Sequence, residues 1–488
     1  MSEVSDFTAL LGINTHSWAR WNNPLDLETA VIVTYSFANA DEVPAPDQGA
    51  YAADSFTPFT QAQKDNFYDV VDIFEATAGI ILVEVDSGGM IDIYSASGSG
   101  YGGWANYPST SLTSVSYGDL VIDSNGDYDE GSYGFTTMLH ELGHAFGLEH
   151  PHEGENTLEE EEDNFGNTVM TYNLTWPEYP SELGPFDVEA LQYMYGTPVD
   201  HTGWVFNDTD DAFEITGASA DDSIYGVAGD NVINGKAGND TIWGRDDNDK
   251  ILGGSGDDFL SGMYGNDTIF GGIGDDIIWG FTEDAPNYSA DEDRLFGGAG
   301  DDMIYGHSGQ DKLRGEKGND FLDGGTSNDV LRGGAGRDTL YGGSGADTLQ
   351  GGAGKDSLYG GDFGDDLDGG DGDDLLYGES GWDTMDGGKG NDLLDGGAGS
   401  NTLTGGTGID TFDFSNAEEG QWNTITDYEM GVDILDLTAT GREGQDLWIT
   451  NLSGNGGTYI RVGTSNDNIV IVLEGYDASQ IDGSVLVF

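Results

Sequence analysis

The 488-residue chain contains no cysteine. This excludes disulfide bracing, thiolate metal sites and cysteine nucleophiles. Basic residues are nearly as scarce: 15 Lys and Arg stand against 91 Asp and Glu, a net charge of −76. Residues 1–216 hold only Arg20 and Lys64. So acidic a chain is repelled by nucleic acid and by anionic membrane surfaces, and it favours bound cations or a saline setting. No apolar run approaches the roughly 18 residues of a membrane span, so insertion is not expected. Residues 1–6 lack the basic start and apolar core of a secretory leader, so any export is expected to use another route. Hydrophobic content is low at 36%, and glycine is abundant at 80 residues. That combination marks disorder unless the glycines are periodic.

Histidine is also rare, with seven in all, yet three fall within His140-Glu141-Leu142-Gly143-His144-Ala145-Phe146-Gly147-Leu148-Glu149-His150. On a helix His140 and His144 are neighbours on one face. Gly147 suits the left-handed residue that ends a helix, and the returning chain can bring in His150. Three nitrogens with one position left for water describe a catalytic zinc site rather than a closed structural one. Glu141 is then placed to act as the base towards a zinc-activated water. His152 is not expected to be a ligand, because a fourth would close the site. His16, His201 and His307 lack ligand spacing and are read as surface or packed residues.

The motif resembles the signature of the metzincin metallopeptidases. Pro151 after the third His resembles the serralysin branch (peptidase family M10). The resemblance implies a methionine turn, which Thr168-Val169-Met170-Thr171-Tyr172 fits, with Met170 packed beneath the metal. It also implies a role for Tyr172 as a switchable zinc ligand and oxyanion stabiliser. The implied ligand set is one catalytic Zn²⁺ held by His140, His144, His150 and Tyr172, with Glu141 and Tyr172 as catalytic residues.

Upstream, Val31–Phe37 reads as a buried strand. Thr60-Gln61-Ala62-Gln63 has capping-box spacing, and Phe67, Val70, Val71 and Phe74 follow at helical intervals, predicting a helix over 61–78. Strands are expected at 80–85, 91–95 and 119–123, a helix at 135–146 and another at 187–195. Residues 102–108 read either as a surface loop or as the edge strand on which metzincins add a substrate strand. The acidic run at 159–163 reads as a solvated loop, with a calcium site or repelling lid as the lesser alternatives.

From Gly217 to Asp413 the chain repeats every nine residues as Gly-Gly-x-Gly-x-Asp-x-Leu-x, in twenty-one units with eight extra residues between Gly280 and Phe296. The eighth position is apolar in every unit. The sixth is Asp except at Asn231 and Asn401. Glycines allow a tight turn that brings carbonyls together, and a carboxylate per turn completes an oxygen set suited to Ca²⁺. The candidate calcium residues are Asp240, Asp249, Asp258, Asp267, Asp276, Asp302, Asp311, Asp320, Asp329, Asp338, Asp347, Asp356, Asp365, Asp374, Asp383, Asp392 and Asp410. The array resembles the RTX parallel β-roll, two units to a coil and roughly ten coils in all. Repulsion between facing carboxylates, about 1 kcal/mol per pair at 4 Å in water, predicts a roll that folds only with calcium.

Residues 425–437 resemble the strand pair that caps RTX arrays. Asp482-Gly483-Ser484-Val485-Leu486-Val487-Phe488 resembles the export signal of type I ABC-exporter substrates. The expected architecture is an α+β metzincin catalytic domain (1–205), an all-β parallel β-roll solenoid (206–413) and a β-rich C-terminal cap carrying the signal (414–488). The expected protein is a secreted, monomeric, extracellular zinc endopeptidase acting on polypeptides, with one Zn²⁺ and several structural Ca²⁺. The rival reading is an RTX adhesion or surface-layer protein whose peptidase domain is secondary or inactive, motivated by an array longer than is usual in the family.

Overall fold

A computed structural model describes residues 2–4, 31–38, 55–86, 90–97, 103–105, 118–123, 128–130, 132–146, 148, 150, 156–158, 168–171, 179–195, 197–199, 201–209, 212–227, 229–281, 291–414, 422–437, 447–451, 457–464, 467–474 and 486–487. The chain divides into two compact units, Met1–Thr202 with Phe206–Asp210, and Gly203–Val205 with Asp211–Phe488.

In chain order the first unit contains β1 (Ser2–Val4), β2 (Val31–Phe37), β3 (Ser55–Thr57), α1 (Gln61–Glu75), β4 (Ile80–Glu84), β5 (Ile91–Ser97), β6 (Gly103–Ala105), β7 (Gly118–Asp123), α2 (Tyr133–Ala145), β8 (Asn156–Leu158) and α3 (Pro185–Tyr195). The main sheet runs β4-β2-β5-β7-β6, with β3 on β5. Its first four strands are mutually parallel, while β3 and β6 pair antiparallel. β2 is buried along its whole length, as its unbroken apolar and β-branched character requires of a central parallel strand.

The predicted capping box starts α1: the Thr60 hydroxyl accepts from Gln63 N–H, and the Gln63 side chain accepts from Thr60 N–H. α1 stops at Glu75, three residues short of the predicted end. The Thr77 N–H bonds Phe74 O three residues back, and its hydroxyl takes the Ile73 carbonyl at 2.6 Å, so the last turn tightens and closes. α2 starts two residues early because Ser132 caps it, accepting from Phe135 N–H at 3.1 Å. Every residue of α2 from Gly134 to Ala145 is buried, and the helix lies against β6 and β7. Its C-cap, Phe146, packs on Phe74 of α1 (ring centroids 5.4 Å apart) and Tyr195 of α3 (5.9 Å). The Tyr195 hydroxyl also donates to Phe146 O at 3.1 Å. All three helices therefore meet where the metal motif turns.

The second unit is a parallel β-solenoid of about 11 turns. Each residue lies beside the residue 18 further on, as Leu331 beside Leu349 and Leu340 beside Leu358. Two nonapeptides thus complete one coil. The eighth-position side chains, from Ile224 through Leu340 to Phe412, are wholly buried and form the core. The eight extra residues leave the register intact: Ile269 pairs with Leu295 and Ile278 with Ile304, 26 apart instead of 18. Gly334 (φ 120°) and Gly336 (φ 146°) show why the second and fourth positions are glycine.

One outer face carries a continuous row of rings. Tyr225 stacks on Trp243 (4.2 Å, 3°), Tyr341 on Tyr359 (4.6 Å) and Tyr359 on Tyr377 (5.0 Å), all from the ninth position. Where the ninth residue is Ser261 or Asp323, Phe259 or Phe321 at the seventh position of the same unit fills the gap. Each ring pair contributes about 0.5–1.5 kcal/mol beyond the area it buries.

The strand pair expected at residues 425–437 is not formed between its own two strands. Trp422–Ile425 pairs with Thr402–Thr404 in one sheet and Ile434–Asp436 pairs with Thr411–Asp413 in the other. Ile425 and Leu435 continue the buried apolar rows, so this segment adds a further coil. Parallel pairing then gives way to antiparallel pairing among Asp467–Glu474, Gly457–Thr464 and Leu447–Asn451.

Candidate metal centres

His140, His144 and His150 converge, their ligand atoms all within 4.8 Å of one another. His150 Nε2 lies 3.1 Å from His140 Nε2 and 3.0 Å from His144 Nε2. The second nitrogens settle the tautomers. His140 Nδ1 is 2.8 Å from Val169 O, and His144 Nδ1 is 2.7 Å from Leu148 O. A carbonyl only accepts, so both Nδ1 atoms carry the proton and both Nε2 atoms present lone pairs. His150 Nε2 can donate to at most one of them, which leaves an uncompensated lone-pair contact unless a cation lies between. Tetrahedral zinc at about 2.0–2.1 Å from each nitrogen places them about 3.3 Å apart. The three residues therefore fit zinc in spacing, tautomer and donor type.

Burial keeps the imidazoles neutral, as ligation requires. Desolvation pushes His140 down to about 4, and the same cause, with the neighbouring imidazoles, holds His144 well below the usual histidine range. The turn after α2 does double duty. Leu148 N–H reaches back to Gly143 O at 2.9 Å, the bond that reverses a chain at a helix end, and Leu148 O holds His144. Glu141 is buried on α2 between the two helical ligands. Gly143 faces the methionine turn: a methyl there would lie 2.8 Å from Met170 Sδ. Met170 thus packs against the α2 backbone at Gly143, one residue before His144. Tyr172, Gly147, Pro151, His152 and the acidic run 159–163 lie outside the described residues.

One positioning residue escaped the sequence reading. Asp187, in the first turn of α3, accepts from Thr168 Oγ1 (2.5 Å), Val169 N (2.8 Å) and Gly184 N (2.8 Å). It thereby holds the turn whose Val169 carbonyl orients His140. Burial pushes its carboxyl up to about 6 despite the three donors. A signal was present: Asp187 stands at i on the stripe whose other members, Ala190, Leu191 and Met194, are all buried. Replacing Asp187 with Asn puts an amide donor against a donor. We expect a loss of about 1–3 kcal/mol in stability, read by urea unfolding. Zinc affinity should fall about 10–100-fold, read by competition with a chelating dye. Unchanged zinc affinity would remove Asp187 from the metal site's support.

In the solenoid the sixth-position aspartates form two ranks. In each, Oδ1 accepts the backbone N–H of the aspartate one coil earlier, as Asp338 N to Asp356 Oδ1 at 2.9 Å. Seventeen of these residues bury an Oδ2 that has no hydrogen-bond partner. The charged form is disfavoured chiefly by desolvation: Asp338 is pushed up to about 7, Asp311 to about 8 and Asp267 to about 9. This corrects the sequence argument, which assigned the cost to repulsion across water. Burial of unpaired oxygen is the larger effect, and a calcium ion at these oxygens would remove it. Asp293 belongs to the set, accepting from Asp267 N at 2.8 Å across the insertion. The repeat count includes it as a sixth-position Asp, but the eight extra residues in its unit kept it from being named among the calcium candidates.

Residues 20–151 match the family model described as metallo-peptidase family M12B, reprolysin-like. Segments between 216 and 412 match the RTX calcium-binding nonapeptide repeat. The chain carries a metallopeptidase domain and RTX calcium-binding repeats. The matched peptidase family differs from the M10 serralysin group that the motif resembles. No curated protein matches the chain. Two solution structures from the mannuronan C5-epimerase of Azotobacter vinelandii are similar over part of it. The AlgE6R3 subunit is 29% identical, covering 28% of this chain and 80% of that one, with a TM-score of 0.19. The AlgE6R2 subunit is 28% identical, covering 24% and 88%, with a TM-score of 0.21. Among the described residues, no helix is long and apolar enough to cross a membrane.

Proposed function

We propose that the chain is an exported zinc endopeptidase of serralysin type whose RTX roll folds on calcium outside the cell. The carrying observation is the convergence of three Nε2 lone pairs from His140, His144 and His150. Zinc bound there supplies a Lewis acid and makes water acidic enough to be used near neutral pH. Glu141 takes the proton of the attacking water as the C–O bond forms, then delivers it to the amine as the C–N bond breaks. Tyr172 is carried over from the family resemblance as the oxyanion partner. β6 is the candidate edge for the substrate backbone, since it ends the sheet path beside α2 and pairs antiparallel with β7. The serralysin subtype is supported by Pro151 and by the RTX array that follows the peptidase domain. Export through a type I ABC exporter is supported by the calcium repeats and the form of residues 482–488. The domain limits proposed are 1–205, 206–413 and 414–488.

The test is casein hydrolysis before and after zinc removal by phenanthroline, with calcium kept saturating. Activity should disappear and return on adding one equivalent of zinc. Hydrolysis by protein shown to be zinc-free would remove the zinc-peptidase reading.

A further inference from the structure

The repeats are uniform in sequence, but their ends are not uniform in chemistry. One rank of sixth-position residues runs from Asp222 to Asp410 and continues to Asp433. The other begins at Asn231, reaches Asn401 in its last repeat and continues to Asn423, whose Oδ1 accepts from Asn401 N (3.0 Å), so asparagine replaces aspartate at both of its ends.

The geometry at these asparagines is specific. In an inner unit such as that of Asp240, the oxygen beside the first glycine, Gly235, is Oδ2. In the units of Asn231 and Asn401 the atom beside the first glycine, Gly226 or Gly396, is the amide nitrogen Nδ2. That nitrogen donates to turn carbonyls. Asn231 Nδ2 reaches Val227 O (2.9 Å) and Gly229 O (2.6 Å), and Asn401 Nδ2 reaches Gly396 O (2.6 Å). Carbonyls only accept, so the amide orientation is settled by its partners. A donor N–H₂ in that position cannot ligate a hard cation, and it occupies carbonyl oxygens that could otherwise ligate one.

The other rank ends differently, also without an orphaned oxygen. Asp222 Oδ1 accepts from Trp204 Nε1 (3.0 Å) and its Oδ2 from Ala218 N (2.6 Å). Asp433 Oδ1 accepts from Asp410 N (3.1 Å) and its Oδ2 from Glu429 N (2.6 Å). Between these ends, every sixth-position aspartate from Asp240 to Asp392 in this rank, and from Asp249 to Asp383 in the asparagine-ended rank, buries an unpartnered Oδ2. Each of these residues is at most 3% exposed.

We propose that calcium is confined to these inner turns, and that Asn231 and Asn401 close their rank with an amide nitrogen standing where the ion stands elsewhere. The ends of that rank are then held by hydrogen bonds that need no metal. Calcium loading and the nine-residue repeat have different limits, and Asp293 lies inside the loaded stretch while Asp222 lies outside it. The inference rests on the reading of the repeats as calcium sites.

The experiment counts ions on the full chain by native mass spectrometry at saturating calcium, with circular dichroism confirming the fold of each variant. Asn401→Asp and, at the opposite end, Asn231→Asp should each bind one more ion than the unaltered chain, and Asp338→Asn one fewer. Folded Asn401→Asp and Asn231→Asp proteins with an unchanged count would overturn the proposal while leaving the calcium reading intact. An unaltered chain that binds no calcium would overturn both.

Discussion

Calcium-free protein at pH 8 should lose the β signal of residues 217–413, and the same protein at pH 5 should keep much of it. Seventeen buried aspartate oxygens in the roll have no hydrogen-bond partner. Their carboxyls titrate higher in the metal-free roll than in an unfolded chain, chiefly through desolvation. Asp258 and Asp320 are pushed up to about 6, Asp365 and Asp383 to about 7, Asp329 to about 8 and Asp267 to about 9. A group raised in this way contributes its stability in full below its unfolded value, near pH 4, and loses it as the pH climbs through the folded value. The loss therefore accumulates from about pH 4 to about pH 9, repeated once per inner turn. Bound calcium reverses it, because the ion takes the ionised form. The measurement is circular dichroism and thermal unfolding of protein passed over a chelating resin, at both pH values, with and without added calcium. Calcium added to the roll that stays folded at pH 5 should release protons, because binding requires the ionised carboxylates. A calcium-free roll equally stable at pH 8 and pH 5 would show that the buried oxygens carry no such cost.

The second large effect is expected from Glu141→Gln. It should lower kcat/KM for casein peptides by about 10²–10⁴-fold while leaving zinc content and unfolding temperature unchanged. Glu141 is buried, so the substitution must preserve volume, and glutamine does. What it removes is the capacity to take a proton. His140 and His144 are held by the carbonyls of Val169 and Leu148, so the metal site should survive the change. Retained zinc with lost turnover separates a base from a structural residue. Full activity in a zinc-loaded Glu141→Gln protein would eliminate the proposed proton carrier. No hydrolysis by either protein would instead favour the reading of this chain as an adhesion or surface-layer protein whose peptidase domain is secondary or inactive.

Much of this was legible in the chain because it is local. The histidine spacing, the Thr60 capping box and the apolar eighth position are each set within eleven or fewer consecutive residues, and hydrogen bonding and burial at that range follow directly from sequence. Ile224 through Phe412 line the core as their period predicts. The β-solenoid and the histidine cluster emerged where they were expected.

What only the tertiary structure decided involves partners far apart in sequence. The hold of Asp187 on Val169, 18 residues away, could not be read from spacing alone, because its place on the stripe of Ala190, Leu191 and Met194 marks it as buried but does not name its partner. That Asp293 takes the same place in its rank as its neighbours was decided only when the register was seen to pass over the insertion. The substitution of Phe259 and Phe321 for missing ninth-position rings needs two coils side by side. Above all, the sequence placed a carboxylate in each turn but did not say that one oxygen of each inner carboxylate is buried and unpaired. Burial belongs to the stacked coils rather than to any single repeat, and it is burial that makes a cation necessary.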